Sequence, residues 1–204
     1  MVANKNSSRR KQRKIRPVDE TALRDLAMNY AARYATTAEK LRGYLQRKLR
    51  ERGVVEDETM RDPAQVVEQI VERLVELRYV DDEAYAKART GSLLRRGYGK
   101  RRVNEALRHA GVDEFTREET APGDFAQYEA AVTLARKKRF GPFGHEHHDH
   151  NEFEPSRLDP AKREKQMAAM LRAGHSFDVA KRILDAGSVI DIESWLDETA
   201  TDDE

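Results

Sequence analysis

YVDDEAYAKARTGSLLRRGYGKRRVNEALRHAG, residues 79 to 111, reads as two helices hinged at Gly97-Tyr98-Gly99. Asp81 and Asp82 are N-cap candidates, because a short carboxylate accepts the unpaired amides of a first helical turn. Ala86, Thr90, Leu93 and Leu94 fall at i, i+4, i+7 and i+8, which places them on one helical face. Gly91 and Ser92 are small enough to let a neighbouring helix come close. Val103, Ala106, Leu107 and Ala110 repeat the helical spacing at i, i+3, i+4 and i+7, and Gly111 is a natural C-terminal stop.

Arg95, Arg96, Lys100, Arg101 and Arg102 flank the hinge, with Arg108 two turns on and no acid before Glu105. Cations gathered at a helix–turn–helix corner suit a polyanion such as a nucleic-acid backbone. The plainer alternative is the solvated face of two surface helices.

The chain has 204 residues, 37% of them charged and 38% hydrophobic, a ratio that fits thin helical layers better than one thick core. Its formal charge of +1 hides an asymmetry: seven Lys or Arg and no acid up to Arg16, then seven acids and no base from Asp191 to Glu204. Residues 1–17 are therefore expected to be a disordered basic arm, and 188–204 an acidic tail. The chain has no cysteine, which excludes disulfides, thiolate catalysis and cysteine zinc sites. No apolar run nears the ~18–20 residues that span a bilayer, and the N-terminus lacks a secretory h-region. A cytoplasmic protein without membrane attachment is expected.

Between these ends the period is helical throughout. Leu23, Leu26, Ala27, Tyr30, Ala31 and Tyr34 form one apolar stripe of a helix from about Glu20 to Tyr34. Thr36-Thr37-Ala38-Glu39 has capping-box form and opens a helix with Leu41, Tyr44, Leu45 and Leu49 inward, stopped at Gly53. Asp62-Pro63-Ala64-Gln65 starts a third helix, carrying Val66, Ile70, Leu74 and Leu77. A short helix over Asp113–Thr120 completes the central group, and Ala121-Pro122-Gly123 breaks the chain. Tyr128, Ala131, Leu134 and Ala135 mark the next helix. The polar, His-rich run 141–158 reads as a loop insert. Asp159-Pro160 then restarts a helix to Gly174, and Ser176 caps one that ends at Gly187. Ile190, Ile192, Trp195 and Leu196 form a short amphipathic piece before the acidic tail.

LRERG (49–53), LRHAG (107–111) and LRAG (171–174) each close the second helix of a three-helix unit. Units that share a stop signal and cannot each bury a thick core are expected to stack. The fold expected is all-α, an elongated stack of three tandem helix-turn-helix-like repeats over 18–80, 81–122 and 123–187.

The string RRGYGKRRVNEALRHAGV, preceded by YVDDEAYA, resembles the RecX family, bacterial regulators of the RecA recombinase. It has an acidic start, the pair Tyr85-Ala86, a basic-Gly-Tyr-Gly turn and a helix ending L-x-x-x-G-V. DPAKREKQMAAMLRAGHSFDVAKRIL is similar to the family's last module, so the likeness covers roughly Ala22 to Ala186. Ala173 departs from the arginine usual before that module's glycine, and the His-rich insert looks peculiar to this chain or its close relatives. The resemblance implies three tandem three-helix modules. It also implies a non-enzymatic regulator that binds the RecA–DNA filament, and mainly inhibits its recombination, ATPase and coprotease activities in DNA repair and the SOS response. Its partners would be the RecA filament and DNA, single- or double-stranded with little sequence preference, and a monomer is expected. Arg95, Arg96, Tyr98, Lys100, Arg101, Arg102 and Arg108 are the candidate partner-binding residues.

No catalytic constellation is present. Gly97-Tyr98-Gly99-Lys100 approaches a phosphate loop, but a Walker motif needs glycine where Leu94 stands and Ser or Thr where Arg101 stands. There is no GxSxG and no HExxH. His145, His147, His148 and His150 could chelate a borderline metal, yet a Gly/Pro-flanked loop offers no groups to orient them. No metal or other cofactor is expected. His109 and His175, each beside a helix-ending glycine, read as capping or surface residues. The second functional reading is a helix-turn-helix transcriptional regulator. Only Asn104 on the second helix offers a base-reading amide, so specificity would be weak.

Overall fold

A computed structural model describes residues 16–56, 60–144 and 159–201. Nearly all of the arm and the four histidines of the insert fall outside them. Among the described residues the fold is all-α, with ten α-helices and a single isolated β-bridge, Val18–Val54. The chain divides into two compact units, Met1–Val80 and Asp81–Glu204.

In the first unit α1 (Glu20–Arg33), α2 (Ala38–Arg52) and α3 (Pro63–Glu76) enclose one core. Their starts follow from local chemistry. Asp19 accepts from the Ala22 amide at 2.7 Å, and Asp62 accepts from Ala64 and Gln65 with Pro63 opening the helix. At α2 the cap is Thr37, which accepts from Lys40 at 3.2 Å, one residue later than the capping-box reading had it. Leu23, Leu41, Leu45 and Val67 are fully buried, each adding roughly 1.5–3 kcal/mol of hydrophobic stabilisation. Val18 donates to the Gly53 carbonyl at 2.9 Å and accepts from Val55 at 3.1 Å, which ties the entry of the chain to the end of α2. Tyr34 leaves the expected stripe: it is the C-cap of α1, in extended backbone, and is 57% exposed.

The second unit holds two further cores. α4 (Asp82–Leu94), α5 (Lys100–His109) and α6 (Glu114–Glu119) bury Ala86, Leu93, Val103 and Leu107. Asp81 and Asp113 cap α4 and α6, accepting from Ala84 and Thr116. α7 (Asp124–Lys138), α8 (Pro160–Ala173), α9 (Phe177–Asp185) and α10 (Val189–Thr201) surround Ala131, Met170, Ile183 and Trp195.

Three expectations change here. Gly141–Gly144 is a 3-10 turn with Gly141 and Pro142 buried, and the Gly141 amide donates to the buried Gln166 side chain at 3.0 Å. The insert therefore starts after a fixed piece of the fold. α9 ends at Asp185, two residues before the expected glycine stop. Most of the supposed acidic tail is α10, with Ile192 and Trp195 in the core. Ser188 and Asp191 bond reciprocally to each other's backbone amides, at 2.9 and 3.1 Å, and so start the helix. Glu193 pairs with Arg136 of α7, and the Trp195 ring lies 4.7 Å from both Tyr128 and the Arg182 guanidinium.

Trp195, the sole tryptophan, reports on this unit by its own emission. Trp195→Ala should lower stability by about 3–5 kcal/mol in urea titrations followed by circular dichroism.

Candidate interface at the basic corner

The corner between α4 and α5 is built on backbone geometry that needs glycine. Gly97 has φ +85°, and its amide and that of Tyr98 close α4 on the carbonyls of Leu94 and Leu93. Gly99 begins α5 with no side-chain cap. The donors left open at that end go to the last turn of α8 instead: Gly99 donates to the Ala173 carbonyl at 2.9 Å and Arg101 to Gly174 at 3.2 Å. The Arg101 guanidinium also donates to the Leu171 carbonyl. The positive end of one helix dipole is thus seated on the negative end of another.

The seat is tight. A Cβ on Gly99 would lie 2.6 Å from the His175 amide nitrogen, and one on Gly174 2.5 Å from the Arg102 amide nitrogen. Gly174 is also left-handed, at φ +97°. His175 locks the contact. Its Nε2–H donates to the Gly97 carbonyl at 3.0 Å, and its own amide donates to Met170. The residue is 6% exposed, so the expected surface position is wrong and its side chain is an internal pin, while its amide does cap α8 as expected. Burial holds its pKa below the ordinary 6.5, partly opposed by the Gly97 bond.

The expected contact residues separate into three groups. Arg101, although exposed, is tied to α8. Tyr98 is half-buried against the α4–α5 core, under Arg96 at 5.3 Å. Arg95, Lys100, Arg102 and Arg108 are exposed; Arg102 pairs with Glu105 at 3.1 Å, and Arg95 folds back over Gly91. Gly91 therefore makes room for its own helix's arginine, not for a neighbouring helix. Beside the corner lies a groove of about 760 Å3, floored by Val103, Leu107 and Leu171 and rimmed by Lys100 and Arg117. Arg117 donates to the Asn104 side chain at 2.6 Å and to the Val112 carbonyl at 3.2 Å. Sequence reasoning missed His175 and Arg117, and only the glycine beside His175 hinted at a close approach. Among the described residues no group of three or more His, Cys, Asp or Glu could hold a metal.

Residues 81–120 match the model of RecX, second three-helix domain. Over 179 residues the chain is 34% identical to the regulatory protein RecX of Myxococcus xanthus strain DK1622, covering 84% of this chain and 88% of that one. The chain belongs to the RecX family. A second RecX regulatory protein, from Serratia proteamaculans strain 568, is 35% identical over 78 residues, 38% of this chain and 46% of that one. The fold agrees with a crystal structure of RecX from Lactobacillus salivarius, with TM-score 0.58 at 20% identity, covering 87% of this chain and 96% of that one. Another RecX crystal structure gives 0.55 at 18% identity, covering 82% and 74%. A regulatory role follows from membership of the RecX family.

Gly99→Ala and Gly174→Ala should each cost about 2 kcal/mol or more, because the clash is with backbone. The left-handed backbone adds about 1–2 kcal/mol at Gly174. Gly91→Ala should stay within about 1 kcal/mol. Urea titration followed by Trp195 emission separates these outcomes.

The histidine sets a pH dependence. Below 6.5 the unfolded chain takes up a proton that folded His175 resists. Stability should be fully present above that pH and should fall as the pH drops toward the lower folded value. His175→Gln should be less stable at neutral pH and should lack this step, as read from urea midpoints at a series of pH values.

Proposed function

We propose that this RecX-family protein binds the RecA–DNA filament and restrains its recombination, ATPase and coprotease activities during DNA repair. It would act in the cytoplasm as a monomer, by occupancy and not by catalysis, and without a cofactor. No helix among the described residues is long and apolar enough to cross a membrane. The observation that carries the reading is the corner itself. Arg96, Lys100, Arg102 and Arg108 stand exposed, while the apolar residues of α4 and α5 are already used in the core. These cations can meet DNA phosphate or an acidic filament surface. The groove beside them is also lined by Phe177, 55% exposed, which gives a protein partner one apolar contact.

Sequence-specific reading of duplex DNA is less well supported. An amide that recognises adenine uses both its oxygen and its nitrogen, and the Asn104 oxygen is engaged by Arg117.

The test is strand exchange by the cognate recombinase, with and without the protein. The triple variant Arg96→Ala, Lys100→Ala, Arg102→Ala should change stability by no more than about 0.5 kcal/mol per site. It should inhibit more weakly than the parent. If DNA is the partner, the salt slope of binding should also fall by roughly one unit per lost phosphate contact. Full inhibition by the folded triple variant would reject the corner as the interface. Arg101→Ala should be destabilising by about 1 kcal/mol, because it removes a charge-assisted bond to α8.

A further inference from the structure

The first unit carries an aromatic and basic cleft that the corner does not use. Tyr30 and Tyr44 stack with ring centroids 4.2 Å apart and planes 17° from parallel. Tyr34 adds a third ring, tilted, 5.2 Å from Tyr30. Arg47 and Lys48 each sit 5.6 Å over the Tyr44 ring, and Arg33 completes an open cleft of about 410 Å3 whose lining contains no acid.

Packing accounts for part of this cluster. Tyr30 and Tyr44 lie against the first unit's core, and Lys48 and Arg47 pair with Glu51 at 2.6 and 3.7 Å. It does not account for Tyr34 or Arg33. Tyr34 is 57% exposed and is not packed on the core, and Arg33 is exposed with no ion pair among the described residues. The tilted contact with Tyr30 gives Tyr34 some packing, but it covers only part of the ring, and more than half of the residue is left in water. An open ring face at the edge of an aromatic stack, with cations on its border, has the form of a base-stacking platform. Stacking requires a base that is not already paired.

We propose that Tyr34 stacks on an unpaired base of single-stranded nucleic acid, while Arg33, Arg47 and Lys48 take the adjoining phosphates, Glu51 releasing the last two. This site lies in the first unit and does not depend on the reading of the corner.

The experiment is fluorescence anisotropy of labelled oligo(dT) with the full chain and no recombinase, against matched duplex and polyglutamate. Tyr34→Ala and Tyr34→Leu should each weaken oligo(dT) binding about five-fold or more. Tyr34→Phe should bind like the parent, since the ring is kept, and duplex binding should hardly change. The double variant Arg33→Ala, Arg47→Ala should lower the single-strand salt slope by about 1.4. The corner triple variant should keep the difference between Tyr34 and Tyr34→Ala, so failure of one site is distinguishable from failure of the other. Parent-like oligo(dT) binding by Tyr34→Ala or Tyr34→Leu would overturn the proposal. So would a double variant that loses polyglutamate and oligo(dT) equally while Tyr34→Ala is silent, which would make the cleft a patch for an acidic protein.

Discussion

The second unit depends on two helix ends that complete each other. α5 starts without a side-chain cap, and α8 stops at a left-handed glycine. Each end alone would leave buried polar groups unpaired, at about 1–3 kcal/mol for each group. Set head to tail, the amides of Gly99 and Arg101 meet the carbonyls of Ala173 and Gly174. The remaining features of the joint are consequences. Both glycines are required because backbone meets backbone, and His175 fits beneath because its ring reaches the Gly97 carbonyl that α4 leaves open. The corner is therefore held by a second group of helices, and its exposed cations are presented on a fixed frame.

Charge is abundant in this chain but contributes little to holding it together. The ion pairs at Arg73–Glu76, Lys87–Glu83 and Arg102–Glu105 are largely exposed, and pairs of this kind are worth at most about 1 kcal/mol. Arg42 is the better placed cation. It bridges Glu39 on its own helix and Glu68 on α3, and those two carboxylates raise its pKa. Stability rests instead on three modest cores and on helix starts fixed one by one by Asp19, Thr37, Asp62, Asp81, Asp113 and Ser176.

Those local signals are what the sequence displays well. Asp62 with Pro63, Asp159 with Pro160 and Ser176 are read directly, because a cap and the helix it starts lie within four residues. The all-helical class follows from the same short-range period. What fails to show is long-range. Nothing near Gly99 reveals that its amide is met by Ala173, and nothing near His109 and His175 tells which of the two is buried. α10 is legible in part: Ile190, Ile192, Trp195 and Leu196 read as an amphipathic piece, and Ser188-Val189-Ile190-Asp191 has capping-box form. The acids that follow hide how far that piece continues, although Ile192 and Trp195 are enough to seat a short helix on a core.

At the candidate interface the same distinction separates structure from function. Cations in the first turn of a helix oppose its dipole, so Lys100-Arg101-Arg102 is locally unfavourable for α5. Local conflicts of this sort persist where the fold compensates them or a function requires them. The α8 carbonyls compensate Arg101, and Glu105 partly compensates Arg102. Lys100 has no such partner among the described residues and stands exposed beside the groove. The three neighbours are alike in charge but not in what the fold asks of them. Lys100 is the cation of the three whose position packing explains least, and it is where a partner's negative charge has most to gain.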